Sequence, residues 1–489
     1  MDSGTRRNII TYYLNYVVTA AASFIVSPLL LSALGPLMFG VWKSLQRYLD
    51  FATVADGRAS QALKWIVASR TAHPDEDKRR DVGAAIIVWF RWLPAAALVA
   101  AGVTVAIPLL IKGIPDDARS AAYSAAAVLA GNTVLAGLLS IPDSVLTGIN
   151  QGYKSMLITT AAFVASNAAM ILAAFSDWPL WSLAVIVLIA SIVNAALTLL
   201  VARRSVRWWG ISRPTRPDLR RVFNYSTWTL GNTVVEKLLF SSELIVMSVM
   251  VGAVAVTQYT FTSLLMQFIL SIALVTASGF MPTLGSQLGG SEVDAAAELA
   301  RSVRHLVIAV AVLGSGTVLA FNGAFVTLWV GADQYLGTTI NALLVVCGLQ
   351  VALIRMDGQI IDVTMRMAPK VLAGLLITLG GIVSGCIGFA ISHSLAVALV
   401  AVIVPRLAGN VAYAVLVARS IPGSAVPWRP VVLAVGFLAF SFGVGSLTGI
   451  GDLLAKVGVI LIWLLVAGAA AWFGLLPRTT VRALLTRSG

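Results

Sequence analysis

Apolar stretches recur from one end of the chain to the other, separated by short charged or glycine- and proline-bearing segments. Set against those breaks, they predict about fourteen helices, over 9–34, 38–66, 84–111, 121–149, 155–175, 180–202, 223–250, 254–283, 303–321, 336–363, 371–391, 395–417, 430–448 and 455–476. Each is close to or above the roughly 20 residues that cross a 30 Å hydrocarbon core, and the longest allow tilt or extension past the headgroups. The longest clearly polar segments, Thr71–Val82 and Arg203–Val222, fall far short of the roughly 50 residues that a soluble domain needs. The pattern predicts an all-α polytopic membrane protein. It excludes a water-soluble enzyme and a receptor with a large ectodomain.

Composition and charge refine this picture. The chain has 489 residues, 58% hydrophobic and 11% charged, where a soluble domain carries roughly 25% charged residues. Cys347 and Cys386 lie in apolar spans and read as small buried hydrophobes, not as a disulfide framework. A net charge of +13 raises nucleic acid as a partner, but the placement of the basic residues argues against it. With the N-terminus in the cytoplasm, inside segments carry 23 Lys and Arg, including seven arginines from Arg203 to Arg221; outside loops carry three, Lys112, Arg119 and Lys456. That is the positive-inside bias of a protein with both termini in the cytoplasm. The run from Arg203 to Arg221 reads most simply as a topogenic, lipid-contacting loop.

The first six spans return later in the chain. Asn194–Arg203 (NAALTLLVAR) and Asn410–Arg419 (NVAYAVLVAR) lie 216 positions apart and share six of ten residues. Lys154 and Lys370, Asn8 and Asn224, and Thr11 and Thr227 repeat the offset, and Gly35 and Gly252 miss it by one. Chance similarity among Ala/Val/Leu-rich helices does not match Asn, Lys and Arg at a shared spacing. The expected organisation is an N-lobe over 1–203, a basic linker over 204–222, a C-lobe over 223–419, and two appended helices with a tail over 420–489. Six helices per lobe make the repeat parallel, as in transporters that bind between two halves.

Eight basic residues fall within the spans: Lys43, Arg47, Arg58, Lys64, Arg91, Lys237, Arg355 and Arg406. Each such charge costs about 2.5–3.5 kcal/mol at a bilayer centre, so it persists facing protein or water and marks a function by default. At helical spacing, Lys43, Arg47, Asp50, Arg58, Gln61 and Lys64 of the second span share an arc of about 120°. One acid cannot neutralise these cations, and the face is expected to line a cavity; a sealed Arg47–Asp50 pair is the plainer alternative. The tenth span sets Arg355, Gln359, Asp362 and Arg366 on one face, and its counterpart sets Asp143, Thr147, Asn150 and Lys154 likewise. The seventh groups Asn232, Glu236 and Glu243, and the first groups Asn8, Tyr12, Asn15 and Thr19; either stripe reads equally well as glue between helices. Arg91 suits an interface anchor, and Arg406 is ambiguous. A mainly cationic cavity fits an anionic ligand, above all a diphosphate, which arginine grips bidentately. His73, His305 and His393 lack ligand spacing, and neither a phosphate-binding loop nor a nucleophile elbow is present, so no metal, cofactor or enzymatic chemistry is expected.

The stretch Pro28–Gly35 (PLLLSALG), followed by Phe39-Gly40-Val41-Trp42 and then Ala55-Asp56-Gly57, resembles the opening of Wzx-type bacterial polysaccharide flippases. These belong to the multidrug/oligosaccharidyl-lipid/polysaccharide (MOP) transporter superfamily. Arg58 stands where those proteins usually have an apolar residue. The resemblance implies translocation of undecaprenyl-diphosphate-linked oligosaccharide across the bacterial cytoplasmic membrane, for O-antigen, capsule or exopolysaccharide synthesis. It implies alternating access, with Lys43, Arg47, Arg58, Lys64 and Arg355 holding diphosphate or acidic sugars. Asp50, Glu236, Glu243 or Asp362 would couple the cycle to protons or sodium. The partners it implies are the lipid-linked substrate, membrane lipids, and a polysaccharide polymerase with chain-length regulators. A multidrug or cation antiporter of the same superfamily is the alternative.

Overall fold

The computed structural model describes residues 3–471, apart from 53–57, 71–72, 112–115, 279, 282–283, 285–286, 289–291, 365–366, 426–427 and 448–452. Among them are fifteen α-helices: α1 Ser3–Ala52, α2 Ala59–Ser69, α3 Asp75–Leu110, α4 Asp116–Leu139, α5 Ile141–Gly148, α6 Gly152–Phe175, α7 Leu180–Ser205, α8 Arg216–Val246, α9 Ala253–Ser278, α10 Val293–Val330, α11 Thr338–Val363, α12 Met367–Ser392, α13 Leu395–Ser420, α14 Trp428–Leu447 and α15 Leu453–Ala470. Ten helical stretches are long and apolar enough to cross a membrane, and Val431–Ser446 and Gly458–Ala470 are shorter apolar helices. The protein is a multi-pass, all-helical membrane protein. Its large exposed side chains agree: Leu98, Leu328, Ile391 and Leu465 are each at least 74% exposed, a surface that suits lipid and not water.

Several spans differ from expectation. The second, expected over 38–66, ends as a helix at Ala52 and resumes at Ala59, with Arg58 left-handed at φ 50° before it. An L-residue in that conformation cannot sit inside an α-helix. The fourth span is interrupted at Ser140, because Pro142 in the first turn of α5 has no amide hydrogen to continue the ladder from α4. The polar segment before the third span is helical from Asp75 onward. The ninth extends over 38 residues, so Arg301 and Arg304, two of the 23 basic residues counted as inside, stand within α10. α8 covers the seventh span but is not among the ten apolar stretches, since Asn232, Glu236, Lys237 and Glu243 dilute its hydropathy.

Element order repeats along the chain. α3, α6 and α7 begin at Asp75, Gly152 and Leu180, and α10, α12 and α13 at Val293, Met367 and Leu395. Gly35 kinks α1 at φ 71°, and Gly252 stands between α8 and α9 at φ 132° after a π-helical turn. Both values are open to glycine and strained for other residues. These are the two glycines whose sequence offset differs by one from that of the other repeated residues.

The chain packs as two compact units, Met1–Lys237 with Val251–Thr257, and Leu238–Met250 with Gln258–Gly489. In the first, Leu63 and Ile66 of α2, Ala85, Val88 and Trp89 of α3, Val145 and Leu146 of α5, and Trp208 close one core. In the second, α10 packs on α11, and Tyr413 and Val417 of α13 join Leu270, Ala300, Val307 and Ile354. α14 lies along α10, where Phe437 and Trp463 fill a separate cluster. A Cβ on Gly445 would come within 2.1 Å of the Leu319 carbonyl oxygen, so glycine is what lets these two helices approach.

Candidate functional site

In the first unit, Lys43, Arg47 and Asp50 stand on the part of α1 that follows the kink. Lys43 and Arg47 are half-buried and Asp50 is exposed. Lys43 Nζ lies 5.3 Å from the centre of the Phe39 ring, one turn back. Asp50 does not pair with Arg47 alone, the plainer alternative above. Its carboxylate receives Lys237 of α8, with Nζ to Oδ1 at 2.6 Å, and Lys237 also donates to the Asp50 carbonyl at 2.7 Å. Arg47 and Arg58 are within electrostatic reach of Lys237, and Arg47 of Lys43. Arg47 and Arg58 thus stand within reach of the Lys237–Asp50 pair, and Lys43 within reach of Arg47, among the described residues.

The continuous face expected from Lys43 to Lys64 is therefore corrected. Gln61 and Lys64 belong to α2, a separate helix, and Arg58 precedes it. The fold still brings Arg58 back to Lys237, although the helical wheel that first linked them does not apply. Lys64 is half-buried on α2. Asp56 of the motif lies outside the described residues.

Glu236 of α8 accepts from Asn232 Nδ2 at 2.6 Å. In the first span, Asn15 Nδ2 donates to Thr160 Oγ1 of α6 at 2.6 Å, the gluing role for that stripe; the side chains of Asn8 and Tyr12 lie outside the described residues. Arg91 is exposed on α3.

The second unit treats its charges differently. Arg406 of α13, fully buried, donates to Glu243 Oε1 at 2.5 Å, to the Leu239 carbonyl at 2.9 Å, and to Ser242 Oγ. Glu243, expected as a coupling carboxylate, is thus the buried counter-ion of Arg406. Arg304 of α10 makes a fork on Asp357 of α11, at 2.9 and 3.1 Å, and reaches the Ser424 carbonyl at 3.1 Å. Sequence reasoning missed this pair, since Arg304 had been placed in a loop and nothing local points from it to Asp357. Asp362 receives Lys370 Nζ at 2.6 Å. Arg355 lies over the Phe240 ring at 5.6 Å, a cation–π arrangement; Arg366 lies outside the described residues.

The linker is also more built than a topogenic loop needs to be. Asp81 of α3, fully buried, holds Arg70 at 2.6 Å and Arg221 at 3.0 Å. Ser212 N donates to the Arg79 carbonyl, and Arg79 Nε to that of Trp208. Burial opposes ionisation of Asp218, yet the Thr215 hydroxyl and amide, with Arg221 and Arg80, hold its carboxyl below the usual range. The arginines at 203, 204, 207, 213, 216 and 220 remain exposed.

An all-helical chain with two repeats and this arrangement of buried charge has the fold of the MOP transporter superfamily. A structure of the lipid II flippase MurJ in an inward closed conformation superposes with a TM-score of 0.67 at 16% identity, over 94% of this chain and 98% of that one. An inward-facing multidrug resistance MATE family transporter gives 0.53 at 15% identity, over 87% and 100%. A MOP superfamily transporter from Pyrococcus furiosus, described as having a binding pocket of reverse polarity, gives 0.55 at 16% identity, over 85% and 94%. No curated protein matches the sequence. The family described as polysaccharide biosynthesis protein matches residues 76–336, and the chain belongs to it.

Proposed function

We propose that this protein flips undecaprenyl-diphosphate-linked oligosaccharide repeat units across the bacterial cytoplasmic membrane by alternating access, with both termini in the cytoplasm. It acts as a carrier and not an enzyme, supplying a pathway for O-antigen, capsule or exopolysaccharide. The observation that carries this reading is the excess of cation over carboxylate around Lys43, Arg47, Arg58 and Lys237, in a chain of the polysaccharide biosynthesis family. A diphosphate brings several acceptor oxygens and the missing negative charge, and guanidinium forks match its geometry. In this reading Arg47 and Arg58 grip phosphate, and Lys43 and Lys64 add field. Asp50, Glu236 and Asp362 are less buried than Glu243 and are the carboxylates favoured for coupling to protons or sodium.

The test is complementation of a strain lacking its own flippase. Arg47→Ala should abolish surface polysaccharide while the protein still inserts at its normal level; normal export removes Arg47 from the site. A cation or drug antiporter of the same fold is the second reading, favoured only by the MATE likeness. It requires acids open to a cation, whereas Glu243 and Asp357 are both held by arginine. It predicts drug sensitivity on deletion with surface polysaccharide intact.

A further inference from the structure

Lys237 makes two bonds to one residue, and the two differ in kind. Asp50 stands in the last turn of α1, where backbone carbonyls have no partner within the helix. The bond from Lys237 to the Asp50 carbonyl therefore caps the helix and meets the negative end of its dipole. The bond to the Asp50 carboxylate is the exchangeable one: that side chain is 53% exposed, while Lys237 is 16% exposed. Arg47 and Arg58 act on the same ammonium. The neighbouring acid on α8, Glu236, is engaged by Asn232.

We propose that Asp50 is the resident counter-anion of this cation group, and that an incoming diphosphate displaces its carboxylate from Lys237 while the helix cap stays in place. The proposal rests on the flippase reading and adds how the site is emptied and refilled. A carrier must change orientation both loaded and empty. Desolvated cations without a counter-charge cost several kcal/mol each, so an empty site of this composition would be held back. Asp50 supplies the charge when cargo is absent, and the cargo supplies it when present. The same competition limits affinity, which lets the cargo leave.

The experiment uses the full chain purified in detergent at low ionic strength, with geranyl diphosphate as the probe. Asp50→Asn should bind the probe about tenfold more tightly than wild type, since a competing charge has been removed. In cells it should fail to support polysaccharide export at unchanged protein level, and Asp50→Glu should restore both properties. A purely structural Asp50 would lower affinity and export together. Affinity in Asp50→Asn equal to or below wild type overturns the proposal. Should Asp50→Asn fail to insert, Asp50→Ser carries the same test with the same outcomes. The flippase reading fails separately, by Arg47→Ala binding the probe as wild type does and exporting normally.

Discussion

The two units carry the same repeat and opposite electrostatics. In the second, Arg304, Lys370 and Arg406 each have a carboxylate in direct contact. In the first, Arg47 and Arg58 stand within reach of the Lys237–Asp50 pair, and further ion pairs stand at the linker end. Lys154 and Lys370 occupy one repeat position, yet Lys154 donates to Gln151 and the Ser205 hydroxyl, while Lys370 meets Asp362. In the second unit these three cations each meet their own carboxylate; in the first, two arginines stand within reach of a single Lys237–Asp50 pair.

The largest test of that contrast is Arg406→Leu. It leaves Glu243 buried without its partner and should cost about 3–5 kcal/mol, read as a lowered melting temperature in detergent. The double variant with Glu243→Leu should recover most of the loss. If the single change is silent, the second unit is not self-neutralised in the way described. Next is Gly445→Val, which drives a side chain into the Leu319 backbone. Separating α14 from α10 should cost about 1–3 kcal/mol by the same measurement.

Paired substitutions at the repeated lysine sharpen the comparison further. Each lysine makes bonds from a charged donor, worth about 1.5–3 kcal/mol, but Lys370→Met also leaves Asp362 without its cation and should cost more than Lys154→Met, whose partners are neutral; equal losses would erase the distinction. The smallest effect is Asn15→Ala, about 0.6 kcal/mol for one hydrogen bond between helices in lipid. pH sharpens the linker end. Because the Asp218 carboxyl titrates below its unfolded value, its contribution is present above the usual carboxylate range and is lost as pH falls through the lowered value. Thr215→Val should flatten that acid limb of a melting-temperature profile.

The apolar spans were readable because hydropathy over about 20 residues is a local quantity. So was the duplication, carried by Asn, Lys and Arg that chance seldom repeats. The candidate site was readable only in part. Lys43, Arg47 and Asp50 share a face because they share a helix, but extending that wheel to Gln61 and Lys64 crossed a break it could not sense. A polar period can keep its phase across a turn by accident. Lys237, which the sequence marks only as one of the basic residues within the spans, became the partner of Asp50 across 187 positions. Arg406 and Glu243 stand 163 positions apart, and nothing near either residue encodes the other.

Sequence alone determined that the chain lives in a membrane, roughly where its apolar stretches lie, that it is internally repeated, and which of those stretches carry charge. Each of these is a sum over neighbours in the chain. Tertiary structure alone decided which charges are neutralised: Arg406 by Glu243, Arg304 by Asp357, and Lys237 by Asp50. Pairing depends on distance in space. In a low-dielectric interior, a few ångströms separate a sealed structural ion pair from a charge available to a ligand.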